Sequence, residues 1–284
     1  MNDPALEGFR EYLDAWALVP DGAPFTSYTR SLLLPVRLTT GAPAMLKVPS
    51  SHEERSGSRV MAWWAGEGAA TVFAWDEATG ALVLERAEGK RSLLRMVESG
   101  DDEGATRILA DAAATLHFGS TAAPPPRLVT LERWFRDLWP AAERLGGVFR
   151  ASAATARELL AAPQDEVVLH GDLHHENVLD FGEERGWLAI DPKGLYGERG
   201  FDHVHHLFDR DVVVPPEQEL VERQLAISAA AAGLDLARQR RWALAWAGLS
   251  AVWSMEDGAE PTSAVAVGEM MARRLAEEGT LEFY

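Results

Sequence analysis

The chain has 284 residues, 47% of them hydrophobic and none of them cysteine, so it can bury a sizeable core but cannot form a disulfide, a thiolate metal site or a cysteine nucleophile. Forty-four acidic residues against 27 basic ones give a formal charge of −17. That balance disfavours nucleic acid or anionic membrane as a partner and suits a cationic small molecule, although an acidic surface also serves solubility alone.

Leu6, Phe9, Leu13 and Trp16 recur at helical spacing and predict an opening helix over 6–18. This stretch has no basic segment followed by an apolar run, and no run of about eighteen apolar residues occurs anywhere, so a cytoplasmic location is expected. Short apolar runs at 32–38 and 45–48, on either side of the turn TTGAP, predict a hairpin that ends in Lys47. A lysine within PAMLKVP is ordinarily a half-exposed strand residue, yet it stands where a kinase places the lysine that grips nucleotide phosphates. Residues 52–64 read as a helix with Glu53 and Glu54 in its first turn. Glu54 is the preferred partner for Lys47, with favourable placement of an acid at the helix dipole as the plain alternative. After a turn at 66–68, the segments 71–75 and 81–87 predict two further strands, completing a small β-rich lobe over residues 1–87.

From Glu85 to Gly89 the chain turns polar, as expected of a linker whose backbone groups, beginning at Glu85, would lie against an adenine. Residues 88–284 then form the second, mainly helical lobe, with helices expected at 102–118, 131–145, 148–161, 217–232, 237–255 and 262–278. The stretch TAAPPP at 121–126 is a surface connection, and no internal repeat is evident. The expected fold class is therefore α+β, with two lobes.

Within the helical lobe lies HGDLHHENVLDFGEERGWLAIDPK, residues 170–193, where three short apolar runs frame an Asp, an Asn five residues later and an Asp fourteen after that. Phosphoryl transfer requires a carboxylate to take the proton of an attacking hydroxyl and oxygen ligands for magnesium ions on the triphosphate. Asp172, Asn177 and Asp191 fit those duties in that order, the first as catalytic base and the other two as metal ligands. Six nearby histidines, His170, His174, His175, His203, His205 and His206, also raise a metal-dependent hydrolase as a rival. No HExxH pattern supports it.

LHGDLHHENVL (169–179), GWLAIDPKGLYGERGFD (186–202), PAMLK (43–47) and WWAGEGAA (63–70) resemble the aminoglycoside phosphotransferases, in particular the streptomycin 6-phosphotransferase and hydroxyurea phosphotransferase group. The resemblance covers nearly the whole chain. It implies a protein-kinase-like two-lobed fold, ATP with Mg2+ as phosphate donor, and transfer to a hydroxyl of a small cationic antibiotic, streptomycin at its 6-position being the leading acceptor. By the same resemblance Lys47 contacts the nucleotide phosphates and Asp202, in GERGFD, braces the catalytic loop. One departure is plain: FTSYTRSLLL, at 25–34, has no glycine where a glycine-rich phosphate loop belongs, so phosphate cover is expected from Ser27, Thr29 and Ser31.

Streptomycin's guanidinium groups call for carboxylates in fork geometry. Candidates are Glu198, Asp202, Asp209, Glu256, Asp257 and Glu260, each of which taken singly reads first as a solvated surface acid, so that recognition is expected only of a cluster of them. Hydroxyurea or another small molecule remains an alternative acceptor, and a non-catalytic ATP-binding scaffold is an alternative of another class. The oligomeric state is not readable from the sequence.

Overall fold

A computed structural model of the chain describes residues 4–27, 29–208 and 217–280. A 3-10 turn over Pro4–Phe9 runs into α1 (Arg10–Ala15), in place of the single helix expected there. Gly8 weakens the first half of that segment as a helix, and Ala17 ends the second half in the left-handed region, at φ 50°.

Six strands follow: β1 (Val19–Pro20), β2 (Phe25–Thr26), β3 (Leu32–Arg37), β4 (Pro43–Val48), β5 (Val72–Trp75) and β6 (Leu82–Glu85). They pair antiparallel in the order β1-β3-β4-β6-β5, with β2 also on β3. Lys47 stands opposite Leu33 on one side and Leu82 on the other, in the middle of the sheet. The two-residue period of a strand sends Ala44 and Leu46 into a core with Phe9, Leu34, Val36 and Val83. Met45 and Lys47 therefore face the opposite way, towards the second lobe.

Between β4 and β5 lies α2 (His52–Trp64), which has the bounds its periodicity predicted. The Ser51 hydroxyl accepts from the Glu54 N–H at 3.2 Å and caps its start. Its Val60, Met61 and Trp64 pack with Leu109, Ala113 and Leu116.

The rest of the chain is dominated by helices: α3 (Leu93–Glu98), α4 (Asp102–Gly119), α5 (Leu131–Trp134), α6 (Leu138–Leu145), α7 (Gly147–Ala161), α8 (Gln218–Ala232), α9 (Leu236–Glu256) and α10 (Thr262–Glu277). The helix expected over 131–145 is broken by a 3-10 turn at Phe135–Asp137. Pro140 explains the break, because its ring tolerates only the first turn of a helix and so forces a fresh start at Leu138. The α9 helix is buried on most of its circumference, with Trp242, Leu244 and Leu249 fully enclosed.

Short strands carry the centre of this lobe. The hairpin β9 (Val178–Asp180) with β10 (Trp187–Ala189) is antiparallel, and β11 (Leu195–Glu198) lies between β7 (Val129–Thr130) and β8 (Glu166–Leu169). The lobes are joined by more than the linker. The Ala70 N–H donates to the Ala189 carbonyl at 3.0 Å, and the Ala189 N–H donates to the Gly68 carbonyl at 2.9 Å, so the turn after α2 is stitched to the hairpin. No helix among the described residues is long and apolar enough to cross a membrane.

Candidate active site

β10 ends one residue short of Asp191, with Ile190 between, and Asp191 takes a left-handed backbone at φ 60°. That conformation is uncommon for a residue with a Cβ, and such strain is concentrated at functional positions. The Asp191 carboxylate forms an ion pair with Lys47, and Lys47 Nζ also lies 2.5 Å from Glu54 Oε2. Of the two first-turn acids it is thus Glu54 that meets the lysine; it is buried, whereas Glu53 is exposed. Burial opposes ionisation of Asp191, but the Lys47 and Lys193 ammonium groups outweigh it and hold the carboxyl below its ordinary range.

The loop between β8 and β9 holds Asp172 and Asn177. Asn177 donates from Nδ2 to the Asp172 carbonyl at 2.9 Å, and its own carbonyl accepts from the Ile190 N–H at 2.9 Å. The amide thus ties the two metal-ligand candidates into one backbone unit and leaves Oδ1 as its available ligand atom. Asp172 lies 3.4 Å from Lys193 Nζ through Oδ2 and 3.9 Å from His174 Nε2 through Oδ1.

Lys193 is given no role from the sequence, where it appears only within the segments 170–193 and 186–202. It is buried, 3.5 Å from Glu54 Oε1 on its other side, and its N–H donates to the His170 carbonyl at 2.7 Å. Desolvation alone would lower its pKa, but Asp172, Asp191 and Glu54 together raise it above the ordinary lysine value. Two glycines make its position accessible. A Cβ on Gly57 would sit 1.9 Å from the Pro192 carbonyl oxygen, and one on Gly194 would sit 2.8 Å from the Ser56 carbonyl oxygen. The segment after Asp191 therefore runs directly against α2.

Beneath the loop, Asp202 accepts from the His170 N–H at 2.8 Å and the Gly171 N–H at 2.7 Å, and lies 2.8 Å from His117 Nε2. Burial would raise its carboxyl pKa, but the hydrogen bond and charge of His117 outweigh it and push the group far below the usual carboxylate range. His170 is the adjoining pillar: Nδ1 accepts from the Asp172 N–H at 3.2 Å and Nε2 donates to the Ile190 carbonyl at 2.8 Å. Those partners fix the neutral tautomer, and burial lowers its pKa to about 4.

A cavity of ≈270 Å³ opens between the lobes beside Lys47 and Asp191. Met45, Met61, Leu84, Leu179, Phe181 and Ile190 give it apolar walls, and Glu85, Arg86 and Ala87 form its linker side. Such a slot suits a flat heteroaromatic ring. The Glu85 side chain is turned to Thr71, 2.8 Å away at Oγ1, and to Arg185 at 3.3 Å, so this residue can offer a nucleotide only its backbone. The linker is fastened below, where Arg91 grips Asp180 through two nitrogens at 2.7 and 3.0 Å.

Three substrate and phosphate expectations, for Glu198, Asp202 and Ser31, need correction. Glu198 is buried and bonded at 2.6 Å through each oxygen to Arg238, with the Trp242 indole at 2.7 Å, so it fastens β11 to α9 and has no face on the cleft. Asp202 is likewise enclosed, and a side chain without exposure cannot touch an acceptor directly. Ser31 is fully buried and donates to Glu54 Oε2 at 3.1 Å, so it orients the glutamate and does not reach phosphate. Ser27 and Thr29 hydrogen-bond to each other at 2.9 Å, with Ser27 on the cavity wall. Glu256, Asp257 and Glu260 are exposed at and just beyond the end of α9, without ion pairs among the described residues, and Asp209 lies outside the described residues. The described residues hold no cluster of three or more histidines or carboxylates placed to bind a metal on their own. Of the histidines, His203 and His205 are packed in the core, His205 4.6 Å from the Phe201 ring and 4.7 Å from that of Trp246.

The two-lobed fold, with Asp191, Lys47, Glu54, Lys193 and Asp172 in one chain of ion pairs leading from the cavity wall, is that of a protein-kinase-like phosphotransferase that acts on an alcohol group. The chain belongs to the aminoglycoside/hydroxyurea antibiotic resistance kinase family, which matches residues 15–258. It is 44% identical over 273 residues to a streptomycin 3''-kinase of Klebsiella pneumoniae, covering 93% of this chain and 100% of the relative. A streptomycin 6-kinase of Streptomyces glaucescens is 34% identical over 290 residues, covering 95% and 89%. Among solved structures, an aminoglycoside phosphotransferase of Streptomyces rimosus in complex with ADP and streptomycin shares the fold, with a TM-score of 0.54 at 19% identity over 87% of this chain and 99% of that one.

Proposed function

We propose that the protein transfers the γ-phosphoryl group of ATP to a hydroxyl of streptomycin, and that the 3''-hydroxyl is the acceptor in preference to the 6-hydroxyl first expected. The observation that carries this reading is the linkage of Lys47 and Asp191, on the cavity wall, to Asp172 and Asn177 in the loop beside it, through Glu54 and Lys193 on one side and the Asn177 bond to the Asp172 carbonyl on the other. The choice of hydroxyl is supported by the higher identity to the 3''-kinase relative.

In this reading the adenine occupies the apolar slot against the backbone of Glu85 to Ala87, and Lys47 meets the nucleotide phosphates, with Glu54 fixing its ammonium. Asp172 accepts the proton of the attacking hydroxyl; the new O–P bond forms as the bond to the bridging oxygen breaks, and that electron pair leaves with ADP. Asn177 and Asp191 fit a magnesium site: one amide oxygen and one carboxylate, completed by phosphate oxygens and water, is the donor set this ion prefers over an all-protein cage. Magnesium would neutralise charge on the triphosphate. The exposed acids Glu256, Asp257 and Glu260 are candidates to meet the guanidinium groups of the acceptor.

The test is coupled ADP release from MgATP with streptomycin, hydroxyurea or no acceptor, using Asp172→Ala as the blank, followed by phosphorus NMR to locate the phosphate. Streptomycin-dependent release that vanishes in the blank, with product phosphorylated at 3'', is expected. Release with hydroxyurea alone would move the activity to the other acceptor named in the family, and release unaffected by Asp172→Ala would remove that residue from the chemistry.

A further inference from the structure

We propose that Lys193 is a second phosphoryl-site cation: it receives the γ-phosphoryl group on the acceptor side of the cleft while Lys47 holds the nucleotide side. The inference rests on the phosphotransferase reading and adds to it a residue that the Asp, Asn, Asp and Lys set does not include.

Two buried lysines and three carboxylates form one chain of contacts, Asp191 to Lys47 to Glu54 to Lys193 to Asp172. Glu54 is shared, with one oxygen facing each lysine. The lysines are held very differently. Lys47 is in close contact with both its partners, whereas Lys193 stands 3.4 and 3.5 Å from its carboxylates, beyond the roughly 2.7–2.9 Å of a full charge-assisted bond. An ammonium has three N–H donors and no acceptor, so Lys193 retains donors for an incoming anion. Burying such a charge costs several kcal/mol in desolvation unless good partners offset it, and the two carboxylate contacts do so only loosely.

Position gives the anion its identity. Lys47 and Asp191 line the nucleotide cavity, while Lys193 is absent from its walls and touches the proposed base instead. A phosphoryl group moving from the nucleotide to a hydroxyl at Asp172 leaves the reach of Lys47 for that of Lys193. The usual alternative supply of positive character, a glycine-rich loop of backbone amides, is missing here: the 25–34 segment has no glycine, and Ser31 is committed to Glu54. The anchor point of Lys193 is fixed, because its backbone is bonded to His170 and its neighbours Pro192 and Gly194 lie against α2.

In the transfer step the acceptor oxygen bonds to phosphorus, its proton passes to Asp172, and the bridging-bond electron pair departs with ADP; Lys193 donates hydrogen bonds to non-bridging γ oxygens throughout and is unchanged at the end. Only ATP, and not ADP, presents those oxygens.

The test therefore compares binding of MgADP with that of magnesium and a non-hydrolysable imido analogue of ATP, in wild type, Lys193→Gln and Lys193→Arg, with thermal unfolding of each. Lys193→Gln is expected to leave MgADP affinity within about twofold and weaken the imido analogue about tenfold. Its streptomycin-dependent kcat should fall about 100-fold, the scale of removing one donor from a developing charge, and Lys193→Arg should recover at least tenfold of that. An unchanged ratio of the two affinities would overturn the proposal. So would equal weakening of both nucleotides accompanied by a lowered Tm, which would reduce Lys193 to a structural ion-pair partner. Because the binding arms contain no acceptor, an error over streptomycin leaves them unaffected, whereas a wild type that binds neither nucleotide sinks both readings.

Discussion

Two buried polar clusters lie within a few residues of each other and are built on opposite plans. The upper one, Lys47, Glu54, Asp191, Lys193 and Asp172, pairs lysines with carboxylates from the cavity wall, formed by Lys47 and Asp191, out to the loop of Asp172, and Asp172 and Asp191 keep 32% and 25% of their side chains exposed. The lower one, Asp202 with His117 and His170, is sealed, and it spends its carboxylate on two backbone N–H groups and an imidazole. Open ion pairs can exchange partners when a charged substrate arrives; a sealed cluster can only hold the loop that carries Asp172 in one shape. Reaction and rigidity are thereby assigned to separate layers.

Substitution should separate the layers cleanly. The largest effect is expected for Asp191→Ala, which removes the carboxylate proposed for magnesium and the partner of Lys47: transfer should become undetectable in the ADP-release assay while Tm stays within a few degrees of wild type. A variant with normal rate would remove Asp191 from the site. Asp202→Asn should do the converse in kind, costing about 3 kcal/mol in urea unfolding, the scale of breaking a buried ion pair from one side, with a rate loss that follows the misplaced loop. Full activity with unchanged stability would dismiss the brace.

The lower layer also predicts an acid limit. Burial lowers His170 to about 4 and His203 to about 3, so below the unfolded value of about 6.5 the unfolded chain takes up protons that the folded chain refuses. Stability should be undiminished above about pH 6.5 and fall as pH drops towards 4 and then 3, with His170 alone contributing on the order of 3 kcal/mol across its window. Urea midpoints measured from pH 7 to 4 should decline less steeply in His170→Gln; an identical slope would show that other groups set the limit. The smallest effect belongs to the exposed acids: neutralising Glu256 and Asp257 together should raise the streptomycin KM severalfold and leave kcat unchanged. No change in KM would return them to the role of solvated surface.

Much of this was legible because local rules and tertiary packing agree. Ser51 before two acids and an apolar stripe gives α2 its bounds, and alternation in PAMLKV places Lys47 on the strand face away from Leu46. Legibility ended where meaning depends on a distant partner. Glu198 looks like any acid in a loop until Arg238, forty residues away, is found against both its oxygens. Ser31 resembles a phosphate-binding hydroxyl until Glu54 is seen beside it. Lys193 follows Asp-Pro without a pattern of its own; only the close approach of α2, through two glycines, shows that its ammonium lies between the proposed base and the helix glutamate. The short α3 and β11, the latter interrupted by Gly197, fell below the length at which periodicity speaks.

The contact of Gly57 with the Pro192 carbonyl has a further consequence. In kinases whose activity is controlled, the helix bearing the lysine's glutamate can be moved to disarm the site. Here that helix lies flush on the segment following the metal-binding candidate, and displacing it would strip one glutamate from two buried ammonium groups at once. The glutamate, its two lysines and the segment that carries Asp191 are thus set as one unit, in which the helix cannot shift without unseating both cations.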